Sequence, residues 1–181
     1  ILFIDEENSF INTEEFAATV KGSDNYFVLI TRENLYNLPY SVEEIYGLRS
    51  SGKYQNTRKV YQQTYQIYSR VQQFPVKPKK LLLEDSNSGY EFFKAVSEAA
   101  GRECQSAGGK SNLLKALKDT EPEEICVIAD GAAIGPEMNG LYQKIQKNPN
   151  IKLYLPESFE WIILNARILE EKEIQEILQS C

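Results

Sequence analysis

The chain contains no histidine. That single absence removes Ser-His-Asp triads, Cys-His nucleophile pairs and His-ligated zinc from the chemistries open to it. Cysteine is scarce as well. Cys104, Cys126 and Cys181 are odd in number, widely spaced and form no CxxC pair, and they read as reduced thiols of a cytoplasmic protein. No apolar run approaches the ~20 residues of a membrane span, so no membrane partner is expected. The opening ILFID lacks the basic segment that begins a signal peptide. Net positive charge is missing too. With 20 basic against 26 acidic residues the formal charge is −6. Any contact with nucleic acid must therefore rest on a local patch or on bridging cations.

What is present is ordinary core material. The 181 residues are 42% hydrophobic and 25% charged, enough for one large domain or two small ones. The chain starts without methionine, inside a strand-like run. It has the look of a protein whose front is missing, so an N-terminal domain of the same protein or a partner chain is an expected neighbour.

Three segments follow from composition. Residues 1–50 alternate strand-like and helical patterns: ILFID as a short buried strand, a helix over 13–20 with Asn12 and Glu15 as its cap pair, and YFVLIT as a second strand. Ser41 and Glu44 in LPYSVEEIY form a capping box for a short helix. Residues 51–80 differ, being rich in Gln and Tyr. Tyr54, Tyr61, Tyr65 and Tyr68 fall near helical spacing, with Lys53, Arg58, Lys59 and Arg70 between them. Such rings and cations could stack on nucleic acid; the plainer expectation is a helix or ribbon packing its rings on a neighbour. FPVKPKK then reads as a linker.

Residues 81–181 give the clearest pattern. Leu81–Leu83, 103–105, 124–129 and 151–155 read as strands. Helices are expected over 89–100 (capped by Ser88 and Glu91, with Phe92, Phe93 and Val96 inward), 110–118, 136–147, 158–169 and 171–178. This alternation predicts an α/β fold with a mostly parallel four-stranded sheet and flanking helices.

Ligands of open α/β sheets sit at the carboxyl ends of strands, and here those ends carry acid. LLLED ends in Glu84 and Asp85, VIAD in Asp130 with Glu137 in the following helix, and LYLPESFEW supplies Glu157 and Glu160. Clustered carboxylates repel unless cations or protons compensate, and oxygen ligands of this kind suit Mg²⁺ or Mn²⁺. The plainer role of such acids is to complement helix dipoles. The GAAIG loop, with Gly131 and Gly135, is small enough for a substrate backbone or phosphate to approach, or is simply a flexible turn. SAGGKSN keeps only the GKS tail of a P-loop, with Lys110 as its lysine. It is a weak anion-binding candidate beside the reading of a loop and helix start.

Two resemblances follow from these residues. ILFIDE resembles a Walker B strand, with Asp5 and Glu6 at its end and YFVLITRE as the adjacent strand. The first 50 residues are thus similar to the end of a P-loop domain. No complete phosphate loop precedes them, so this chain alone is not expected to bind ATP. Residues 81–165 resemble a Toprim domain, the catalytic module of topoisomerases, bacterial primases and OLD-family nucleases. That family places a Glu after its first strand, matched by Glu84 or its neighbour Asp85, and an Asp-x-Asp after a later strand, begun here by Asp130. The second Asp falls on Ala132. ESFEWIIL is similar to a late Glu segment of Toprim-like nucleases.

The resemblance implies a Mg²⁺-dependent nuclease or related phosphoryl-transfer enzyme within a larger ATPase–nuclease protein. Glu84 and Asp85 would do acid/base work, and Asp130, Glu84 and Glu137 would hold metal. The alternative it leaves is a Toprim-like binding or regulatory module without catalysis. LLLED with VIAD is also similar to a response-regulator receiver, which implies a phospho-acceptor at Asp130, although no strand ending in Lys-Pro follows Leu155.

Overall fold

The computed structural model describes residues 1–5, 8–50, 62–68, 77–118 and 124–166. Four apolar segments form one parallel sheet: β5 (Lys80–Leu83), β6 (Glu103–Ser106), β7 (Ile125–Ile128) and β8 (Ile151–Tyr154), in the order β6-β5-β7-β8. Leu83 pairs with both Ser106 and Ile128, and Ile128 pairs with Tyr154, so the four carboxyl ends finish level. Helices link successive strands, as parallel pairing requires: α2 (Ser88–Ala99), α3 (Lys110–Ala116) and α4 (Met138–Lys147), with α5 (Phe159–Asn165) after β8. Every residue of β7 is buried, as expected of a central strand covered on both faces. On one face Leu82, Val127 and Leu153 pack with Leu113, Met138 and Leu141 of α3 and α4. On the other, Leu83, Cys126 and Ile128 meet Tyr90 and Phe93 of α2. The α/β class and the parallel four-stranded sheet expected from the sequence are therefore present.

The first 50 residues hold a second, smaller parallel pair. β1 (Leu2–Ile4) lies beside β2 (Phe27–Leu29), with Phe3 opposite Val28, joined through α1 (Glu14–Lys21). Its core is Ile11, Phe16, Ala17, Leu35 and Leu38. The cap of α1 is Thr13, not Asn12: the Thr13 hydroxyl accepts from the Phe16 N–H at 3.1 Å, while Asn12 donates its side-chain amide to Glu33. The Ser41–Glu44 capping box is present and opens a single 3₁₀ turn over Val42–Glu44.

The Tyr/Gln-rich region differs from a helix wherever it is described. β4 (Gln62–Gln66) pairs antiparallel with β3 (Tyr46–Ser50), across the boundary expected at residue 51. The period that suggested a helix came from rings of which Tyr54 and Tyr61 lie outside the described residues, as do Lys53, Arg58, Lys59 and Arg70. Tyr65 lies over Gly47, where a Cβ would come within 2.6 Å of its Oη. Tyr68 is buried, and its Oη accepts the Leu155 N–H at 2.9 Å. This bond fastens the connector to the carboxyl edge of the main sheet, and the Val42 N–H, donating to the Gly131 carbonyl at 2.9 Å, fastens the first segment there as well. Val96, expected inward, is 52% exposed. No helix among the described residues is long and apolar enough to cross a membrane.

Candidate functional site

The strand order fixes where a ligand belongs. β5 is followed by β6 on one side and by β7 on the other, so the direction of winding reverses between β5 and β7. Open α/β sheets bind ligands in the crevice beyond the carboxyl ends at such a switch point. The first residues past those two ends are Glu84, Asp85 and, two beyond Ile128, Asp130. All three line one cleft of about 290 Å³, together with Glu160, Pro156, Phe159, Ile162 and Phe93. Acids thus line the cleft together with polar Asn87 and Ser88 and an apolar wall that includes Phe93, Phe159 and Ile162. The Phe159 ring is fixed by edge contacts to Phe92 and Phe93 at 5.4 and 6.2 Å between centroids. This wall was missed from sequence. Its only signal was Ser158, whose hydroxyl accepts the Trp161 N–H at 3.1 Å and so places Phe159 at the start of α5.

The acids are held in different ways. Glu84 donates its N–H to the Ile128 carbonyl at 2.9 Å and accepts the Gly109 N–H at 2.8 Å on its own carbonyl. Its backbone is therefore pinned between β7 and the β6–α3 loop. Burial pushes its carboxyl up from the ordinary value. A bond from the Lys110 backbone opposes this, the charges of Asp85 and Asp130 add to it, and the Lys110 ammonium opposes it again. Asp130 accepts the Ala132 N–H on Oδ1 at 2.9 Å, which leaves its Oδ2 uncommitted among the described residues.

Asp85 belongs to the fold more than to the cleft. Its Oδ1 accepts from Ser86 at 2.7 Å and Asn87 at 3.0 Å, and its Oδ2 from Gly89 at 2.9 Å and Tyr90 at 3.3 Å. Burial raises its pKa, but those four backbone bonds outweigh burial and hold it below the usual carboxylate value. Asp85 therefore caps α2, and the expected Ser88–Glu91 capping box does not: α2 starts at Ser88 without a side-chain cap bond from its neighbour Asn87. Gly89 is required beside it, because a Cβ there would sit 2.8 Å from Asp85 Oδ2.

The other candidates lie elsewhere. Glu137, expected in the metal shell, is 6% exposed and does not line the cleft. Lys110 donates from Nζ to the Ala133 carbonyl at 3.1 Å. The glycines of GAAIG are approached by their own chain. A Cβ on Gly131 would lie 2.7 Å from the Leu155 and Pro156 carbonyl oxygens, and one on Gly135 would run into Tyr40. Glu157 is exposed outside the cleft lining, and Asp5 is exposed at the end of β1. Glu6 and Cys181 lie outside the described residues. Cys104 and Cys126 are free thiols. Among the described residues no three acidic or thiol side chains stand close enough to hold a metal ion by themselves. Compared with family models, curated proteins and solved structures, the chain finds no match in any of the three.

Proposed function

We propose that residues 81–165 form a Toprim-like site for Mg²⁺-dependent phosphoryl transfer on nucleic acid, within a larger protein that also carries an ATPase portion. The observation that carries this reading is the meeting of Glu84 and Asp130 in one cleft at the switch point. Two carboxylates without a third ligand suit Mg²⁺ or Mn²⁺, because Mg²⁺ is held by one or two carboxylates with the rest of its shell from water and substrate phosphates. Glu84 and the uncommitted Oδ2 of Asp130 would hold the ion. When bound, it would activate water and offset charge on the phosphoryl oxygens. Burial pushes the Glu84 carboxyl above its ordinary value, the direction that favours a carboxyl able to take or return a proton. Asp85 keeps α2 in register, and the Phe159 ring forms an apolar wall of the cleft. The adjacent, parallel β1 and β2 with Asp5 at the edge support reading the first segment as the end of a P-loop-like domain.

The test is cleavage of single-stranded DNA and RNA with Mg²⁺ or Mn²⁺ by the wild type and Asp130→Asn. Cleavage that falls at least about 100-fold in the variant supports the reading; equal rates contradict it. A second reading has its own support. Ala132 stands where the resemblance expects a second Asp, and its N–H occupies Asp130 Oδ1. This favours a binding module that engages ligands on the same edge without cleaving them, and it predicts retained oligonucleotide binding with no metal-dependent product. A receiver-like role predicts instead that acetyl phosphate labels Asp130.

A further inference from the structure

The proposed metal site uses the acids of the cleft and leaves its apolar wall unexplained. Glu84 and Asp130 would seat an ion and the phosphate it engages, and neither task needs an apolar neighbour. Yet Phe93, Pro156, Phe159 and Ile162 line the same cleft. They come from α2 and from the segment after β8, so elements distant in sequence meet to build this wall. Pro156 is buried, whereas Phe93, Phe159 and Ile162 are only half-buried. Three large apolar side chains thus keep surface open beside the acids. The wall is also fixed. Ser158 accepts the Trp161 N–H at 3.1 Å and caps α5, whose first residue is Phe159. Edge contacts to Phe92 and Phe93, with 5.4 and 6.2 Å between centroids, then hold the Phe159 ring. Gly89 adjoins it, since a Cβ there would lie 3.6 Å from Phe159 Cγ.

We infer that this wall is a nucleobase subsite, on which an unpaired base stacks while its phosphate lies toward Glu84 and Asp130. The inference rests on the proposed function for the phosphate, but not for the base. A nucleotide is the occupant whose two parts match the two parts of the cleft. Its phosphate is drawn to a cation held by the carboxylates. Its base offers a π-face that aromatic side chains accept with little regard to sequence. At about 290 Å³ the cleft lies at the small end of ligand pockets, so it takes one such unit. In a duplex each base is covered by its stacked neighbours. A base therefore reaches the wall only from a single strand or when it is turned out of the helix.

Fluorescence anisotropy with Mn²⁺ tests this on the full chain, using a short oligothymidylate, an abasic strand of the same length and a duplex containing the thymidine strand. Wild type should bind the thymidine strand about tenfold more tightly than the abasic one, the scale of one stacked base. The duplex should bind no better than the abasic strand. Phe159→Leu keeps the wall apolar but removes the ring. It should lose that tenfold on the thymidine strand and nothing on the abasic strand, while Phe159→Trp should keep the preference. The inference is overturned by a wild type that binds neither single strand or both equally, by equal losses on both in Phe159→Leu, or by a duplex bound as tightly as the thymidine strand. Mn²⁺ calorimetry without nucleic acid separates this outcome from the metal reading, and Phe159→Leu should there match wild type. A wild type that takes up Mn²⁺ but shows no preference between strands removes the base subsite and leaves the metal reading standing. One that takes up no Mn²⁺ yet prefers the thymidine strand through Phe159 defeats the metal reading and keeps the subsite.

Discussion

β1–β2 and β5–β8 are both parallel, and parallel sheets ordinarily bury both faces. The larger sheet does so at its centre. β7 is buried along its whole length, with α3 and α4 on one side and α2 on the other. The smaller pair buries only the face that carries Ile4, Phe27 and Leu29. On its other face Ile1, Phe3 and Tyr26 are 75%, 73% and 78% exposed. The difference decides where acids at strand ends become a site. Glu84 and Asp130 emerge from strands held on both sides and level at their ends, so two carboxylates converge in one cleft. Asp5 emerges from a two-stranded pair and is exposed. ILFIDE and LLLED are both apolar runs finished by acid, so local pattern by itself does not show this difference.

The contrast can be broken most forcefully in the larger sheet. Leu82 is 1% exposed between α3, α4 and β7. Leu82→Ala is expected to cost about 3 kcal/mol in urea unfolding, from lost burial plus the cavity left behind. A loss under about 1 kcal/mol would mean that this core is not packed as described. Asp85→Ala should cost less, about 1–2 kcal/mol, as the loss of a helix cap.

The pH dependence sharpens the Asp85 assignment. Its native carboxyl lies below the unfolded value of 3.8. The stability it contributes is therefore present above that pH and is lost as pH falls through the native value. Glu84 and Glu137 act in the opposite sense. Their native values lie above 4.5, so they weaken the fold as pH rises from there through the raised values. Acid unfolding curves of wild type and Asp85→Ala should converge at the acid end, and a gap that persists there would contradict the cap assignment. The smallest effect belongs to the open pair. Phe3→Ser should change stability by no more than about 0.5 kcal/mol. A cost of several kcal/mol would show that the face is covered in solution.

Much of this architecture was legible in the sequence. Strand-helix alternation after residue 80, acids at strand ends and the Ser41–Glu44 box all carry local signals that survive folding. What was not legible depends on contacts distant in sequence. The sequence pointed to Ser88 and Glu91 as the cap of α2, and only the backbone path after β5 put Asp85 there instead. Gly131 and Gly135 read as room for a ligand, but the space is filled by Leu155, Pro156 and Tyr40, which arrive from other elements. Phe159 became a cleft wall only through Phe92 and Phe93 of α2. Lys110 belonged to a partial phosphate-loop motif, yet its side chain donates to the Ala133 carbonyl.

The central claim is that Glu84 and Asp130 together hold a divalent ion at the β5/β7 switch point. The most direct test is calorimetric titration of Mn²⁺ into the wild type and Asp130→Asn at low ionic strength, each with and without a short single-stranded oligonucleotide. The account predicts Mn²⁺ binding by the wild type, strengthened by the oligonucleotide's phosphates, and at least about a tenfold loss in Asp130→Asn. Wild-type and variant isotherms that coincide in both conditions would contradict it.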